Sequence, residues 1–393
     1  MNYQSYKKAM KHQSNWQRPI AGLISIGLIA CVAIGVSNSQ AQAPPLRQYN
    51  VTDLGVLPAK KDRVSVPAAI NDQGQVTGTS GMSMVDEAAF LYDPKNPKDG
   101  MQDLGRNTAG VSRGFGINGV GDVVGEATFG EDYFHAALFR NGKIVDLGTL
   151  KGGILSRATS INASGQVIGY SGLKPDNDST NRAFVWSWTT GMFDIGTLGG
   201  ETAQAFGIND LGFVTGTAQI AETSRVEMTH AFICQPFWMG RLIRKMVDLG
   251  TLGGNDSYGM AINASNHVVG YSTMKPGDDR SIHAFLYDGK KMRDLGSLDS
   301  WTGADQSYAL GLNLKDEVVG YTYVMAAGDF AHPVRQVGFI YRQGEMLNLN
   351  NLVGKASENY LIRAATAINN NGQIVAVAED LNSGETHAVL LTQ

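Results

Sequence analysis

The sequence is poor in cysteine and has no excess of positive charge, and each shortage excludes a class of protein. It has two cysteines in 393 residues. Cys31 lies in a segment that resembles an export signal, so Cys234 alone would remain after cleavage and no disulfide framework can form. The 32 basic residues are outnumbered by 36 acidic ones and form no stripe that would neutralise phosphates. We therefore expect no nucleic-acid partner, a fold stabilised by core burial, and Cys234 as a buried apolar residue.

Residues 1–43 have the composition of a bacterial signal peptide. Four basic residues lie before position 20, and residues 20–36 form an apolar core. The small-x-small sequence Ala41-Gln42-Ala43 then predicts cleavage near residues 41–43. The mature chain is therefore expected to be secreted or periplasmic, with no membrane span.

Two other interpretations of this segment stay open. The apolar core is close to the lower length limit for spanning a bilayer, so the segment is also compatible with an uncleaved anchor. Leu28-Ile29-Ala30-Cys31 resembles a lipoprotein cleavage box, which would leave the protein anchored through an acylated Cys31.

Two short phrases recur along the whole chain. Periods of 20–50 residues are typical of stacked or radial repeat architectures, and the second phrase recurs every 43 to 54 residues. The first phrase is Ile or Leu followed by Asn71, Asn118, Asn162, Asn209, Asn263, Asn313 and Asn369. The second is Asp-Leu-Gly, which begins at Asp53, Asp103, Asp146, Asp248 and Asp294, with the variants Asp194-Ile195-Gly196 and Asn348-Leu349-Asn350.

Each repeat is predicted to form four short strands. In the fifth repeat, apolar or alternating runs occupy residues 258–262, 267–271, 283–287 and 291–296, and turn residues separate them. Such runs indicate strands and hairpins. The 48 glycines of the chain agree with an all-β protein rich in tight turns.

The recurring asparagine is predicted to close the first hairpin of each repeat. Its side chain can hydrogen-bond its own backbone two residues on, and a glycine three residues later can adopt positive φ. Asn266 takes the place of that glycine in the fifth repeat. In the sixth, Asp316 takes it, which predicts a distorted turn. The glycines are Gly74, Gly121, Gly165, Gly212 and Gly372.

The strand before each asparagine carries small residues at two positions. Large side chains would be excluded where several strands converge, which indicates the innermost strand of a radial array. The residue two before the asparagine is Ala69, Gly116, Ser160, Gly207, Ala261, Gly311 or Ala367, and the residue four before it is Pro67, Gly114, Ala158, Ala205, Gly259, Ala309 or Ala365.

The count of strands predicts a closed ring. The chain opens with a lone Asp-Leu-Gly strand at residues 49–57 and ends with a repeat at residues 365–392 that lacks its fourth strand. Pairing the two gives seven complete units, whereas an open solenoid would need a capping repeat at each end. We therefore predict that residues 48–393 form a seven-bladed β-propeller in which the N-terminal strand closes the last blade.

The third and fourth strands resemble the HAF repeat family of extracellular bacterial proteins. His230-Ala231-Phe232 and His283-Ala284-Phe285 match the triplet that names the family, and Thr197-Leu198-Gly199-Gly200 and Thr251-Leu252-Gly253-Gly254 match the phrase after the fourth strand. The resemblance implies secretion and repetition and implies no activity. The sequence departs from the triplet with Ala88, Arg182 and Val337 at its histidine and with Ala137 and Val389 at its phenylalanine.

The repeated polar residues are interpreted as scaffold rather than chemistry. Equivalent histidines on different blades would be spread around a ring, whereas zinc needs ligands that converge at about 2.0–2.1 Å. We expect these histidines to hydrogen-bond neighbouring strands, the aspartates to accept backbone N–H bonds at turns, and the chain to need neither metal nor cofactor. The histidines are His135, His230, His283 and His387.

The candidate site therefore consists of residues that do not repeat. Loops between second and third strands and between blades should emerge on one face and vary freely, as binding loops on rigid scaffolds do. Aromatic, acidic and basic side chains there suggest a sugar- or peptide-binding surface. The candidates are Asp132, Tyr133, Phe134, Lys174, Asp176, Lys275, Asp279, Arg280, Trp301, Asp329, Phe330, His332 and Arg335.

Three functions are compatible with this pattern. The first is a monomeric, non-catalytic binding or scaffold module for an extracellular or envelope polysaccharide or protein. The second is an extracellular glycan hydrolase or lyase that uses unrepeated groups such as Glu131, Asp132, Asp329 and His332. Hydrolysis would need two carboxyls about 5–5.5 or about 6.5–9.5 Å apart across a cleft. The third is a purely structural cell-surface protein.

Overall fold

The computed structural model describes residues 48–393 apart from a set of short segments. The predicted signal peptide and Cys31 lie outside the described residues. The segments left out are 59–62, 82–85, 106–109, 131–132, 174–179, 222–227, 236, 239–240, 243–244, 300–304 and 326–333.

Seven four-stranded antiparallel sheets, or blades, make up the described chain. Blade 1 consists of β2 (Ser65–Ile70), β3 (Val76–Ser80), β4 (Ala88–Tyr92) and β5 (Met101–Asp103). Blade 2 consists of β6 (Ser112–Ile117), β7 (Val123–Phe129), β8 (Tyr133–Arg140) and β9 (Lys143–Asp146). Blade 3 consists of β10 (Ser156–Ile161), β11 (Val167–Gly172), β12 (Asn181–Ser187) and β13 (Gly191–Asp194).

The remaining blades follow the same order. Blade 4 consists of β14 (Gly199–Ile208), β15 (Val214–Ile220), β16 (Thr229–Cys234) and β19 (Met246–Asp248), with a hairpin of β17 (Phe237–Trp238) and β18 (Arg241–Leu242) between the last two. Blade 5 consists of β20 (Ser257–Ile262), β21 (Val268–Lys275), β22 (Asp278–Tyr287) and β23 (Met292–Asp294). Blade 6 consists of β24 (Ser307–Leu312), β25 (Val318–Met325), β26 (Val334–Arg342) and β27 (Glu345–Asn348).

Blade 7 is assembled from both ends of the described chain. It contains β28 (Tyr360–Ile368), β29 (Ile374–Asp380) and β30 (Thr386–Thr392), and β1 (Asn50–Asp53) pairs antiparallel with β30 as the outermost strand. The register places Asp53 opposite Val389. Three short 3-10 turns, Pro97–Asp99, Leu349–Asn351 and Lys355–Ser357, are the helical segments among the described residues. In this part of the chain no helix is long and apolar enough to cross a membrane.

Seven asparagine side chains join the blades into a closed ring. Each Asn Nδ2 donates to the backbone carbonyl of the equivalent asparagine in the next blade, from Asn71 to Asn118 O at 2.9 Å through to Asn369, which donates to Asn71 O at 3.0 Å. The five intervening bonds are 2.9–3.4 Å long. Because the last bond returns to the first blade, the ring is complete. The predicted all-β, seven-bladed β-propeller is thus confirmed.

The same asparagines close the first hairpin of each blade, as predicted. Asn209 Oδ1 accepts from the N–H groups of Leu211 and Phe213 at 3.1 and 2.9 Å. The expected distortion of the sixth turn was wrong. Asp316 adopts φ 57°, and the bond from its N–H to Asn313 O is 3.2 Å long. Aspartate tolerates this left-handed conformation better than most residues, so the turn keeps its shape without glycine.

The small residues of the innermost strands lie where neighbouring backbones touch. A Cβ atom at Gly116 would lie 2.9 Å from Ser160 Cα in the next blade, and one at Gly114 would lie 2.5 Å from Thr77 Oγ1 in the previous blade. Real Cβ atoms do not approach other atoms this closely without displacing them. The prediction that these strands converge near the axis is therefore confirmed.

The core lies between blades, because each sheet buries both of its faces against its neighbours. The third strands contribute fully buried rings, and Cys234 is buried with them at 4% exposure, as predicted. Burial raises the pKa of its thiol to about 12, which makes it unreactive. The buried rings are Phe90, Phe184, Phe232, Phe285 and Phe339.

Candidate functional site

The antiparallel blades give the propeller two distinct faces. Connections between blades, such as residues 147–155, and between second and third strands, such as residues 381–385, emerge on one face, which we call the loop face. Connections between first and second strands, such as residues 71–75, and between third and fourth strands, such as residues 288–291, emerge on the other, which we call the turn face. The asparagine ring lies at the turn face.

The repeated histidines and aspartates pair with each other in the four blades that have both, blades 2, 4, 5 and 7. His230 Nδ1 lies 2.8 Å from Asp248 Oδ2, and Asp248 Oδ1 accepts the N–H of Gly250 at 2.7 Å. The predicted hydrogen-bonding roles are confirmed. In the third blade Arg182 replaces histidine and still reaches Asp194 at 3.0 Å. The other histidine pairs are His135 with Asp146, His283 with Asp294 and His387 with Asp53.

In five of the seven blades, a serine at the start of the innermost strand links the blade to the previous one. Ser257 Oγ accepts the N–H of Ala231 in blade 4 at 2.8 Å and donates to the carbonyl of Gly250, two residues after the last strand of blade 4, at 2.5 Å. Sequence reasoning missed this role although the signal is present, since a serine recurs six residues before five of the seven asparagines. The equivalents are Ser65, Ser112, Ser156 and Ser307.

The recurring asparagine, aspartate, histidine and serine side chains are thus engaged in scaffold contacts. Among the described residues, no group of three or more His, Cys, Asp or Glu side chains is arranged to hold a metal ion. Positions that differ between blades are therefore the candidates for ligand chemistry in the described chain.

The predicted site residues fall on separate blades. Tyr133, 44% exposed, and half-buried Phe134 lie in blade 2 at the loop face. The guanidinium of Arg113 lies over the Phe134 ring, 5.1 Å from the ring centre. Lys275 and Arg280 are exposed on the β21–β22 hairpin of blade 5, which also contains Asp279, and Arg335 is exposed on β26 of blade 6. The others, with Glu131, lie outside the described residues: Asp132, Lys174, Asp176, Trp301, Asp329, Phe330 and His332.

Sequence reasoning missed a charged cluster near the axis in blades 2 and 3. Glu126, with a side chain only 3% exposed, accepts from Arg113 at 2.5 Å and from Arg157 at 2.7 Å. Arg113 also pairs with Glu87 of blade 1. Burial lowers the pKa of Arg113, but Glu126 and Glu87 outweigh it and the pKa is raised. Arg157 lies over the rings of Phe115 and Tyr170 at 5.0 and 5.7 Å. Two cations and two anions therefore pair with one another in this cluster.

Five tyrosines form a continuous aromatic array in blades 5 and 6. Two pairs are stacked, Tyr258 on Tyr271 with centroids 4.8 Å apart and Tyr308 on Tyr321 at 4.7 Å. An edge contact of 4.9 Å between Tyr271 and Tyr308 joins the two blades, and Tyr323 adds an edge contact to Tyr321 at 6.1 Å. Such offset and edge arrangements are the favoured geometries of aromatic rings. Tyr258 is the second residue of β20, and Tyr323 is two residues from the end of β25, so the array lies towards the loop face.

The tyrosine rings are half-buried. The hydroxyl groups of Tyr271, Tyr321 and Tyr323 make no hydrogen bond to another described residue, and none of them is a fully buried atom without a partner. Burial, reinforced by the neighbouring tyrosine, raises the pKa of Tyr321 to about 12, and burial likewise raises the pKa of Tyr271. These groups therefore stay protonated and neutral at physiological pH. They offer both a hydrogen-bond donor and an acceptor.

Comparisons with known proteins agree with the fold and give no activity. Residues 200–386 match a family described as "Protein of unknown function (DUF3466)". No curated protein matches the chain. The solved structures to which it is similar include the β-propeller domain of the Trilobed protease from Pyrococcus furiosus, at 9% identity and TM-score 0.49 over 84% of this chain and 96% of that one.

Two further structures show the same low similarity. TolB from Acinetobacter baumannii is 12% identical with TM-score 0.39, over 56% of this chain and 51% of that one. XC5397 from Xanthomonas campestris, a gluconolactonase, is 9% identical with TM-score 0.40, over 89% of this chain and 95% of that one. At these values the likeness concerns the fold alone, and the activities of these proteins are not transferred to this chain.

Proposed function

We propose that the chain is an exported β-propeller that acts as a non-catalytic binding module, with an extracellular or envelope polysaccharide or protein as its partner on the loop face. One observation carries this proposal. The polar groups that recur in the blades are engaged in scaffold contacts, whereas aromatic and charged side chains that differ between blades collect towards the loop face around the axis. Export is supported by the signal-like segment and by the resemblance to the HAF repeats.

The axial position supports binding because the innermost strands are fixed in place. Each is joined to the next blade by its asparagine, and most are joined to the previous blade by their serine. Side chains on such a frame lose little conformational entropy when a ligand binds, which favours affinity. The tyrosine array and the arginine cluster lie on these strands and on the second strands beside them.

A thermal-shift screen of the chain against envelope polysaccharides, oligosaccharides and peptides tests the proposal. A ligand at about 100 times its Kd stabilises the folded state by about 2.7 kcal/mol. For a unit of this size that raises Tm by about 4 °C. We expect such a shift with at least one ligand.

Two variants locate the binding face. Replacing residues 326–333, which connect β25 to β26 in the sequence, with a short glycine-serine linker should reduce the shift. Replacing Gln343-Gly344, a turn on the turn face of the same blade, with Asn-Gly should leave the shift unchanged. An equal loss in both variants, or no shift with any ligand, would contradict the proposal.

A further inference from the structure

The tyrosine pairs of blades 5 and 6 occupy positions that the other blades fill differently. The residue five before the recurring asparagine faces a partner on the second strand, and in these two blades both residues are tyrosine: Tyr258 with Tyr271 and Tyr308 with Tyr321. The equivalent pairs elsewhere are Val66 with Thr79, Arg113 with Glu126, Arg157 with Tyr170, Gln204 with Thr217 and Ala364 with Val377.

The scaffold does not need aromatic rings at these positions. Blades 4 and 7 form the same paired strands with Gln204 and Thr217, or with Ala364 and Val377, and they close the same asparagine ring. An aromatic residue at such a position is therefore not explained by ring closure. Blades 5 and 6 are adjacent, and each has tyrosine at both paired positions, so the rings form one continuous surface.

The free hydroxyl groups give this surface a second property. A hydroxyl group that has no protein partner and is not fully buried can donate to and accept from a ligand. Tyr271, Tyr321 and Tyr323 present three such groups beside one another. The array therefore offers apolar ring surface and, at its margin, neutral donors and acceptors.

Charge narrows the class of ligand further. Across the axis, Arg113 and Arg157 are balanced by Glu87 and Glu126, and in blade 7 Arg363 pairs with Glu379. On the blades of the array itself, Lys275, Arg280 and Arg335 are exposed, while Asp278 pairs with Arg280 and Asp305 pairs with His283. A strongly anionic or cationic ligand would therefore meet charges of both signs. A ligand with apolar C–H faces, many hydroxyl groups and no charge matches all three properties.

We propose that the tyrosine array of blades 5 and 6 is a binding site for a neutral oligosaccharide, with sugar faces packed on the rings and sugar hydroxyls paired with Tyr271, Tyr321 and Tyr323. This inference rests on the proposed function and specifies its site and ligand class. The position towards the loop face lets a sugar chain extend from the axis across that face.

Isothermal titration of the full chain with three probe classes tests the ligand class. The probes are neutral hexasaccharides built from glucose, mannose or N-acetylglucosamine, an acidic oligogalacturonide of the same length, and a mixed peptide library. We expect binding of at least one neutral hexasaccharide and weaker binding of the acidic one. Binding of the oligogalacturonide or of peptides alone would overturn the neutral-sugar assignment while leaving the broader binding function standing.

Hydroxyl deletions test the site. Tyr271→Phe and Tyr321→Phe keep the ring and its stacking and remove one hydrogen bond each, so each should weaken binding by about 5-fold. Tyr287→Phe, the same change on the third strand of blade 5 near the turn face, is the matched control and should have no effect. Folding of each variant is checked by its Tm.

The outcomes separate the two claims. If a neutral hexasaccharide binds and all three variants bind it equally, the ligand lies elsewhere and the tyrosine site is wrong. If no probe of any class binds, both the proposed binding function and the tyrosine site are wrong.

Discussion

Replacing Asn209 with alanine should destabilise the propeller by about 3 kcal/mol. The side chain is 6% exposed and makes four hydrogen bonds: two accepted from the turn at 3.1 and 2.9 Å, one donated to Asn263 O at 2.9 Å and one to Asn266 Oδ1 at 2.7 Å. Each such bond contributes about 1 kcal/mol, and a buried partner left unpaired costs more. Because Leu211 is 58% exposed, water can replace the bond to its N–H, so we count about three.

The assay is calorimetric melting. For the unit of residues 46–393, the unfolding entropy is about 0.7 kcal/mol/K, so the loss corresponds to a fall in Tm of about 4 °C. Asn209→Asp keeps both turn bonds but places a carboxylate oxygen against Asn263 O and Asn266 Oδ1, so it should lower Tm at least as much. Asn96→Ala, at an exposed turn residue, is the control. A fall of less than about 1 °C for Asn209→Ala, or a neutral Asn209→Asp, would refute the role of the asparagine ring.

Two further predictions follow from the contacts between strands. Burial lowers the pKa of His283, but the bonds to Asp294 and Asp305 outweigh burial, so the pKa is raised. A group with a raised pKa in the folded state stabilises the fold at pH values below its unfolded pKa of about 6.5. This stabilisation is lost as the pH rises through the folded-state pKa. The Tm difference between the wild type and His283→Gln should therefore be largest near pH 5.5 and shrink towards about pH 8; a difference that is independent of pH would contradict this. Ser257→Ala should lower Tm by about 2–3 °C, because two hydrogen bonds between blades 4 and 5 are lost. The control Ser265→Ala, at an exposed turn, should leave Tm unchanged. Equal Tm values for the two variants would argue against the serine link.

The fold could be predicted because the same physical requirement recurs in every blade. The turn needs a side chain like that of Asn71 and a residue of positive φ after it, and the axis needs residues as small as Gly116. Each requirement restricts which residue types can occur at a fixed position of the repeat, so the restriction is visible in the sequence at a fixed spacing. The error at Asp316 shows the limit of the argument. The backbone conformation was required, but glycine was not, since Asp316 adopts it and accepts bonds from Asn263 and His267.

The candidate site could be predicted only in part. Arg113, Glu126 and the five tyrosines are far apart in sequence, and each alone reads as an ordinary strand residue. Only the ring brings Tyr271 next to Tyr308 and Glu126 next to Arg157. The loops favoured by the sequence are described only in part, and their described members lie on three blades. Pairs of strands within a blade could be predicted from the repeat, whereas contacts between blades required the structure.

The most direct test of the account is hydrogen exchange of the chain with and without the neutral hexasaccharide that binds best. The account predicts slower exchange in β20, β21, β24 and β25 and in the connections of blades 5 and 6 at the loop face, with no change at the asparagine turns. Protection confined to the turn face, such as residues 71–75 and 288–291, would contradict it.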